Sequence, residues 1–159
     1  MLIKGLVDED FTNYKKPSMF IIFPYCTFKC DKEAGCTVCQ NSTLANEPTI
    51  EIQPSTIVSR YIQNHISKVM VLGGLEPFDS KELLMFIEYV RDCVDDEIVI
   101  YTGYTEEEIS DEIQWIQKSG IKNIIIKFGR FIPNQEKHYD EVLGVELASP
   151  NQYARRISY

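Results

Sequence analysis

Four of the five cysteines in this chain, Cys26, Cys30, Cys36 and Cys39, fall within residues 24–41. A buried thiol packs as a small hydrophobe, but this stretch also carries Lys29, Asp31, Lys32, Glu33 and Gly35, the composition of a solvated loop. Packing does not account for sulfur at that density, whereas a shared metal centre does. An odd total of five, in a chain expected to reside in a reducing compartment, also argues for metal or redox use rather than a disulfide framework.

A second group of residues with chemical potential is Gly73-Gly-Leu-Glu-Pro77. Paired glycines let a backbone approach a ligand closely, and Glu76 can accept from an ammonium group or a ribose hydroxyl. In isolation the same residues make an ordinary turn with a solvated carboxylate. Thr102-Gly-Tyr104 and Gly129-Arg130 complete the set.

The segments between these groups must position them. The apolar run at residues 19–24 reads as a buried strand leading straight into the cysteine loop. Residues 54–66 place Val58, Tyr61, Ile62 and Ile66 on one helical stripe, with Pro54 in the first turn. A strand at 68–74, a helix at 80–94 through Leu83, Ile87, Val90 and Val94, and a strand at 97–103 follow. A helix marked by Ile109, Ile113 and Ile116 and stopped by Gly120, then a strand at 123–129, close the series. Apolar strands alternating with helices imply βαβ units. Four strands are too few to close an eight-stranded barrel. The expected fold is therefore α/β, an open partial (β/α) barrel with a mostly parallel sheet. All four chemical groups then lie just past strand C-termini, the end where such sheets bind ligands. Residues 1–18 read as mixed and polar, and the tail 131–159 as a segment lying across the sheet.

Length and charge set outer limits. At 159 residues the chain fits one domain, 1–159, with a single core. With 24 acidic against 16 basic residues and a formal charge of -8, it lacks the basic footprint of a nucleic-acid binder. No stretch approaches the roughly 20 apolar residues that span a bilayer, and the first residues do not form a signal peptide. A cytoplasmic location with no membrane partner is expected.

With these residues in view, the chain resembles the radical S-adenosylmethionine (SAM) superfamily, and within it the short activating proteins of anaerobic ribonucleoside-triphosphate reductase. The resemblance covers most of residues 18–157. It rests on an apolar strand entering Cys26-Thr-Phe-Lys-Cys30, on Cys39-Gln-Asn-Ser-Thr43, on Gly73-Gly-Leu-Glu-Pro77, on Thr102-Gly-Tyr104 and on Ser149-Pro-Asn-Gln152, in family order. It implies a radical SAM-like fold and an enzyme. Three thiolates would hold a [4Fe-4S] cluster, and SAM would chelate the remaining iron. Reductive cleavage of SAM would then generate a glycyl radical on the reductase large subunit, with a flavodoxin- or ferredoxin-type protein as electron donor. By the same analogy Gly73, Gly74 and Glu76 hold the methionyl end of SAM, with Thr102, Tyr104, Asn151 and Gln152 as lesser contributors.

The cysteine spacing departs from the family's Cys-x3-Cys-x2-Cys, being x3, x5 and x2 here. Keeping Cys26-x3-Cys30 and matching Cys39-Gln-Asn to the last family cysteine gives Cys26, Cys30 and Cys39 as ligands, with Cys36 on an insertion. The alternative keeps Cys36-x2-Cys39 and leaves Cys30 out. If all four thiolates bound metal, no iron would be open to SAM and the site would be structural or electron-transferring. A non-catalytic zinc or iron-sulfur protein is therefore one rival reading. A radical SAM enzyme acting on a small molecule is another, which the short chain disfavours because an added substrate domain would be expected.

Other conspicuous residues have plainer readings. Cys93 is expected to be a packed thiol, Trp115 core, and His65 and His138 isolated. The acidic run 106–108 would complement a helix dipole. Lys127 and Arg130 read as solvated strand-end charges, with the SAM carboxylate as an alternative partner, and Arg155 and Arg156 as tail charges.

Overall fold

The computed structural model describes residues 1–35, Cys39 and 41–159, with the Lys29 side chain left out. The question of Cys36 against Cys30 as a ligand thus falls partly outside the described residues. In chain order the elements are β1 (Leu2–Ile3), β2 (Gly5–Asp10), β3 (Ser18–Phe23), α1 (Lys29–Ala34), β4 (Ile50–Glu51), α2 (Pro54–Gln63), β5 (Val69–Gly74), α3 (Leu83–Cys93), β6 (Ile98–Tyr101), α4 (Ser110–Lys118), β7 (Ile124–Phe128), β8 (His138–Asp140), β9 (Val145–Leu147) and β10 (Tyr153–Ser158).

The central sheet has six strands in the order β10-β7-β6-β5-β3-β2. The four expected strands form its parallel middle, β3 to β5 to β6 to β7. Two antiparallel strands flank them, β2 on β3 and β10 on β7. Expectation is corrected at both edges. The N-terminal segment, read as polar and mixed, forms β2; the tail lies across one face of the sheet through its β8–β9 hairpin, as expected, but it also extends the sheet through Tyr153–Ser158. In β10 only Ala154 and Ile157 are buried, one in the core on each face of the sheet and with charged residues between them, a pattern that a search for continuous apolar runs passes over. No closed barrel occurs among the described residues.

The parallel strands follow one another in space in chain order, without reversal. Crossovers of one hand then place every connecting helix on the same face. Accordingly Ile57, Phe86 and Ile116 from α2, α3 and α4 share a core with Met70, Ile100 and Ile126 of the strands. The alternate residues Val71, Val99 and Ile125 face the other way, and Tyr14, Leu143 and Leu147 cover them. Burial on both faces explains why these strands are continuously apolar.

Two helical expectations need correction. Helix α2 ends at Gln63 and buries Ile57, Val58 and Tyr61, leaving Ile62 and Ile66 exposed. Asn64, whose side chain accepts from the Ile66 and Ser67 N–H groups, turns the chain before the stripe can continue. Cys93 is exposed rather than packed, since α3 stops there and half-buried Val94 takes the last core position. The acidic run is also more than a dipole partner: Glu106 pairs with Arg155 at 2.5 Å and Glu108 with Arg130 at 2.6 Å.

Candidate functional site

Beyond the C-terminal ends of the parallel strands lies a cavity of about 460 Å³. Cys26, Cys30 and Cys39 line it, together with Gly74, Glu76, Thr102, Lys127 and Gln152. The structure thus brings together six of the seven site residues expected from sequence. Gly73 is not at the wall; a Cβ there would meet the Phe20 ring at 3.1 Å and Tyr101 Cβ at 3.3 Å. Its lack of a side chain makes room for two residues that do line the cavity.

The cysteine loop is held by specific contacts. The Glu76 N–H donates to the Tyr25 carbonyl at 2.7 Å, so the turn after β5 grips the residue before Cys26. Asp79 accepts from the Thr27 N–H at 3.1 Å and from the Tyr104 hydroxyl at 2.6 Å. Phe28 adopts a left-handed φ of 54° immediately before α1, a conformation uncommon for a non-glycine residue. There its N–H donates to Cys26 Sγ at 3.2 Å, and its carbonyl accepts from Lys32 in the first turn of α1. Helix α1 carries Cys30 and ends at Gly35 with φ 71°. From the same helix, Asp31 accepts the Cys39 N–H at 2.8 Å, and the Asn41 N–H donates to Cys39 Sγ at 3.4 Å. Asp31 and Asp79 had no sequence signal, because their role depends on where the loop folds back.

Burial pushes the Cys26 thiol up to about 11, with Glu76, Asp79 and Cys39 adding to the effect. Burial also raises Cys39, and Cys30 and Asp31 reinforce the shift. The field of Cys39 is thus felt at Cys26, and that of Cys30 at Cys39. Thiols of this kind ionise when a cation supplies the compensating charge. Among the described residues no three His, Cys, Asp or Glu side chains converge as ligands of one ion would. Three cysteine sulfurs lining one cavity are the donor type that would hold an iron-sulfur cluster. The donor set, half-buried and receiving backbone N–H groups at sulfur, fits that group.

Glu76, 7 % exposed, lines the same cavity as the sulfurs. Its carboxylate accepts from the Thr102 hydroxyl at 2.7 Å, the Gly103 N–H at 2.8 Å and the Phe78 N–H at 3.2 Å. Burial nevertheless raises its pKa to about 7, outweighing those donors. Lys127, from β7, is equally buried, and its ammonium donates to the Gly129 carbonyl at 3.0 Å. It is not the solvated charge expected. Gln152 fixes the tail at the same place, accepting from the Ala148 and Ser149 N–H groups and donating to Gly129. Asn151 donates to the Arg130 carbonyl, and the Tyr104 hydroxyl is spent on Asp79, so neither lines this cavity.

A family model described as a 4Fe-4S single cluster domain matches residues 18–148. The chain belongs to that family. No curated protein and no solved structure matches the chain significantly. The cluster domain so identified spans β3 to the β8–β9 hairpin and therefore includes the cysteine loop and the C-terminal ends of all four parallel strands. An iron-sulfur cluster is accordingly its cofactor. No helix among the described residues is long and apolar enough to cross a membrane.

Proposed function

We propose that this cluster domain is a radical SAM activase, which uses a [4Fe-4S] cluster on Cys26, Cys30 and Cys39 to cleave SAM and generate a glycyl radical on an anaerobic ribonucleotide reductase large subunit. The observation that carries the reading is the meeting of those three cysteines with Gly74, Glu76 and Thr102 in one cavity at the strand C-termini. Three thiolates leave one iron of a cubane without a protein ligand, the position an amino acid's amine and carboxylate would take. Bound together, cluster and SAM supply one-electron cleavage of a sulfonium followed by hydrogen-atom abstraction, leaving methionine and 5′-deoxyadenosine.

The residues of the chain contribute placement and dryness. Gly74, at φ 83°, turns the strand end so that bare backbone faces the cavity. Thr102 and Gly103 fix the Glu76 carboxylate, which stays an acceptor with lone pairs to spare for an ammonium or hydroxyl. Phe20, Leu75 and Tyr101 provide apolar wall. A volume near 460 Å³ suits one nucleotide-sized ligand beside the sulfurs and leaves little for a separate small substrate. That favours a glycine presented by a partner polypeptide over a small-molecule substrate. The strand order supports a partial barrel of the radical SAM kind, and a flavodoxin- or ferredoxin-type donor would reduce the cluster from the cytoplasm.

The test is anaerobic reconstitution followed by spin resonance with and without SAM. A reduced [4Fe-4S] signal that changes on SAM addition is expected, with 5′-deoxyadenosine formed under dithionite. Cys26→Ala, Cys30→Ala and Cys39→Ala should each lose most of the bound iron, while Cys93→Ala keeps it. A zinc-loaded colourless protein, or a cluster whose signal ignores SAM, overturns the activase reading.

A further inference from the structure

Among the described residues, Lys127 is the one buried cation at the cavity that the proposed chemistry leaves without a task. It is 7 % exposed near the end of β7, and the Gly129 carbonyl is the single hydrogen-bond acceptor it reaches among the described residues. The Tyr101 ring lies 5.8 Å from its nitrogen. A buried ammonium with two unspent N–H groups is costly unless negative charge sits nearby. Glu76 faces the same cavity, but three donors of its own already hold it, and no ion pair joins it to Lys127 among the described residues. The fields of Glu76 and, after it, of Cys30 reach Lys127; Glu146, the other carboxylate lining the cavity, is exposed, so the cysteine sulfurs are the remaining partly buried source of negative charge there.

We infer that the Lys127 ammonium is a redox-tuning residue, which offsets the charge of the thiolate-bound cluster and raises its reduction potential. A [4Fe-4S]2+ core with three thiolates carries net charge -1, and one electron from an external reductant takes it to -2. A fixed positive charge at the cavity wall stabilises the second state more than the first, and net charge near a cluster is among the determinants of its potential. Lys127 acts here on the cluster through space and touches no reacting atom. The inference rests on the three-cysteine cluster site, and does not depend on SAM cleavage.

The experiment is a dithionite-mediated redox titration of the reconstituted full chain, followed by spin resonance in the absence of SAM. Lys127→Met, of similar length and apolar shape, should bind the same iron as the wild type but titrate at a distinctly more negative midpoint. Lys127→Arg, which keeps the charge, should stay near the wild-type midpoint. Equal midpoints for all three proteins overturn the inference while leaving the cluster reading intact. If Lys127→Met fails to assemble a cluster, the inference stands or falls on Lys127→Gln and Lys127→Arg: a more negative midpoint for Lys127→Gln supports it, and an equal or higher one overturns it. A wild type that takes up no cluster overturns both readings.

Discussion

Glu76 shows how far burial alone can move a functional group. Three donors around its carboxylate favour the ionised form, yet removal from water dominates and the pKa rises from 4.5 to about 7. The folded protein therefore holds this proton at pH values where the unfolded chain has lost it. Stability from this group is complete below the unfolded pKa and declines as pH rises through the folded one, by roughly 3 kcal/mol across the window. Urea unfolding of metal-free protein at pH 5 and pH 7.5 should show that decline in the wild type and not in Glu76→Gln. Glu97 and Glu106 are lowered and titrate below the window, and Lys127, lowered to about 8 by burial and sensitive to the Glu76 charge, titrates above it, so the wild-type minus variant difference reports chiefly on Glu76. A difference that stays flat with pH would show that the proton is not held. The types Cys, Gly and Glu announced themselves in sequence at this scale. Lys127 did not, since nothing in the run Ile124–Phe128 distinguishes a solvated lysine from a buried one.

Among the elements, the turn after β5 does most to build the site. Gly74 ends that strand at φ 83°, and a Cβ there would lie 2.4 Å from Ile22 Cγ2 and 3.2 Å from its Cα. Ile22 belongs to the neighbouring strand β3, so the glycine is required by sheet packing as well as by any ligand. Gly120 has a similar φ of 72° but nothing within 4 Å of its absent Cβ. Gly120→Ala should therefore cost only the left-handed backbone penalty, about 1 kcal/mol. Gly74→Ala adds overpacking and should cost about 2 kcal/mol more. Chemical denaturation of the two variants side by side checks this, and equal losses would mean that β3 yields freely. The central strands and the helices were legible because their periodicities are long and regular. Edge strands β2 and β10 were not, because apolar residues scattered among charged ones look like a loop until a partner strand is known.

For the whole molecule, the notable arrangement is a sheet with helices on one face and a hairpin on the other. Strands β8 and β9 bring Leu143 and Leu147 against Val71, Val99 and Ile125. One buried carboxylate secures them: Asp140 accepts from the Leu143 N–H at 2.9 Å and the Ala154 N–H at 3.0 Å, tying the hairpin to β10. Asp140→Ala leaves both amides unpaired in a buried setting, an expected loss of roughly 2–4 kcal/mol. Hydrogen exchange at Leu143 and Ala154 should quicken at least tenfold, and Asp140→Asn, retaining one acceptor, should fall between. Unchanged exchange would show that the hairpin is held by packing alone. The hairpin also lines the cavity, through Val145 and Leu147 of β9.

By itself the sequence determined that metal-binding sulfur is gathered in one loop, that the loop leaves a buried strand, and that parallel βα units carry it. Each of these follows from local type and spacing, which chain chemistry fixes before folding. Tertiary structure alone decided which side chains meet there: Asp31 and Asp79 on the loop amides, Lys127 and Gln152 at the cavity wall, the tail as a sixth strand and the hairpin as a second covering layer. Those contacts join residues far apart in the chain, such as Asp79 with Thr27 and Asp140 with Ala154. Their partners are selected by how whole strands and helices pack, a choice that no local window of residues encodes.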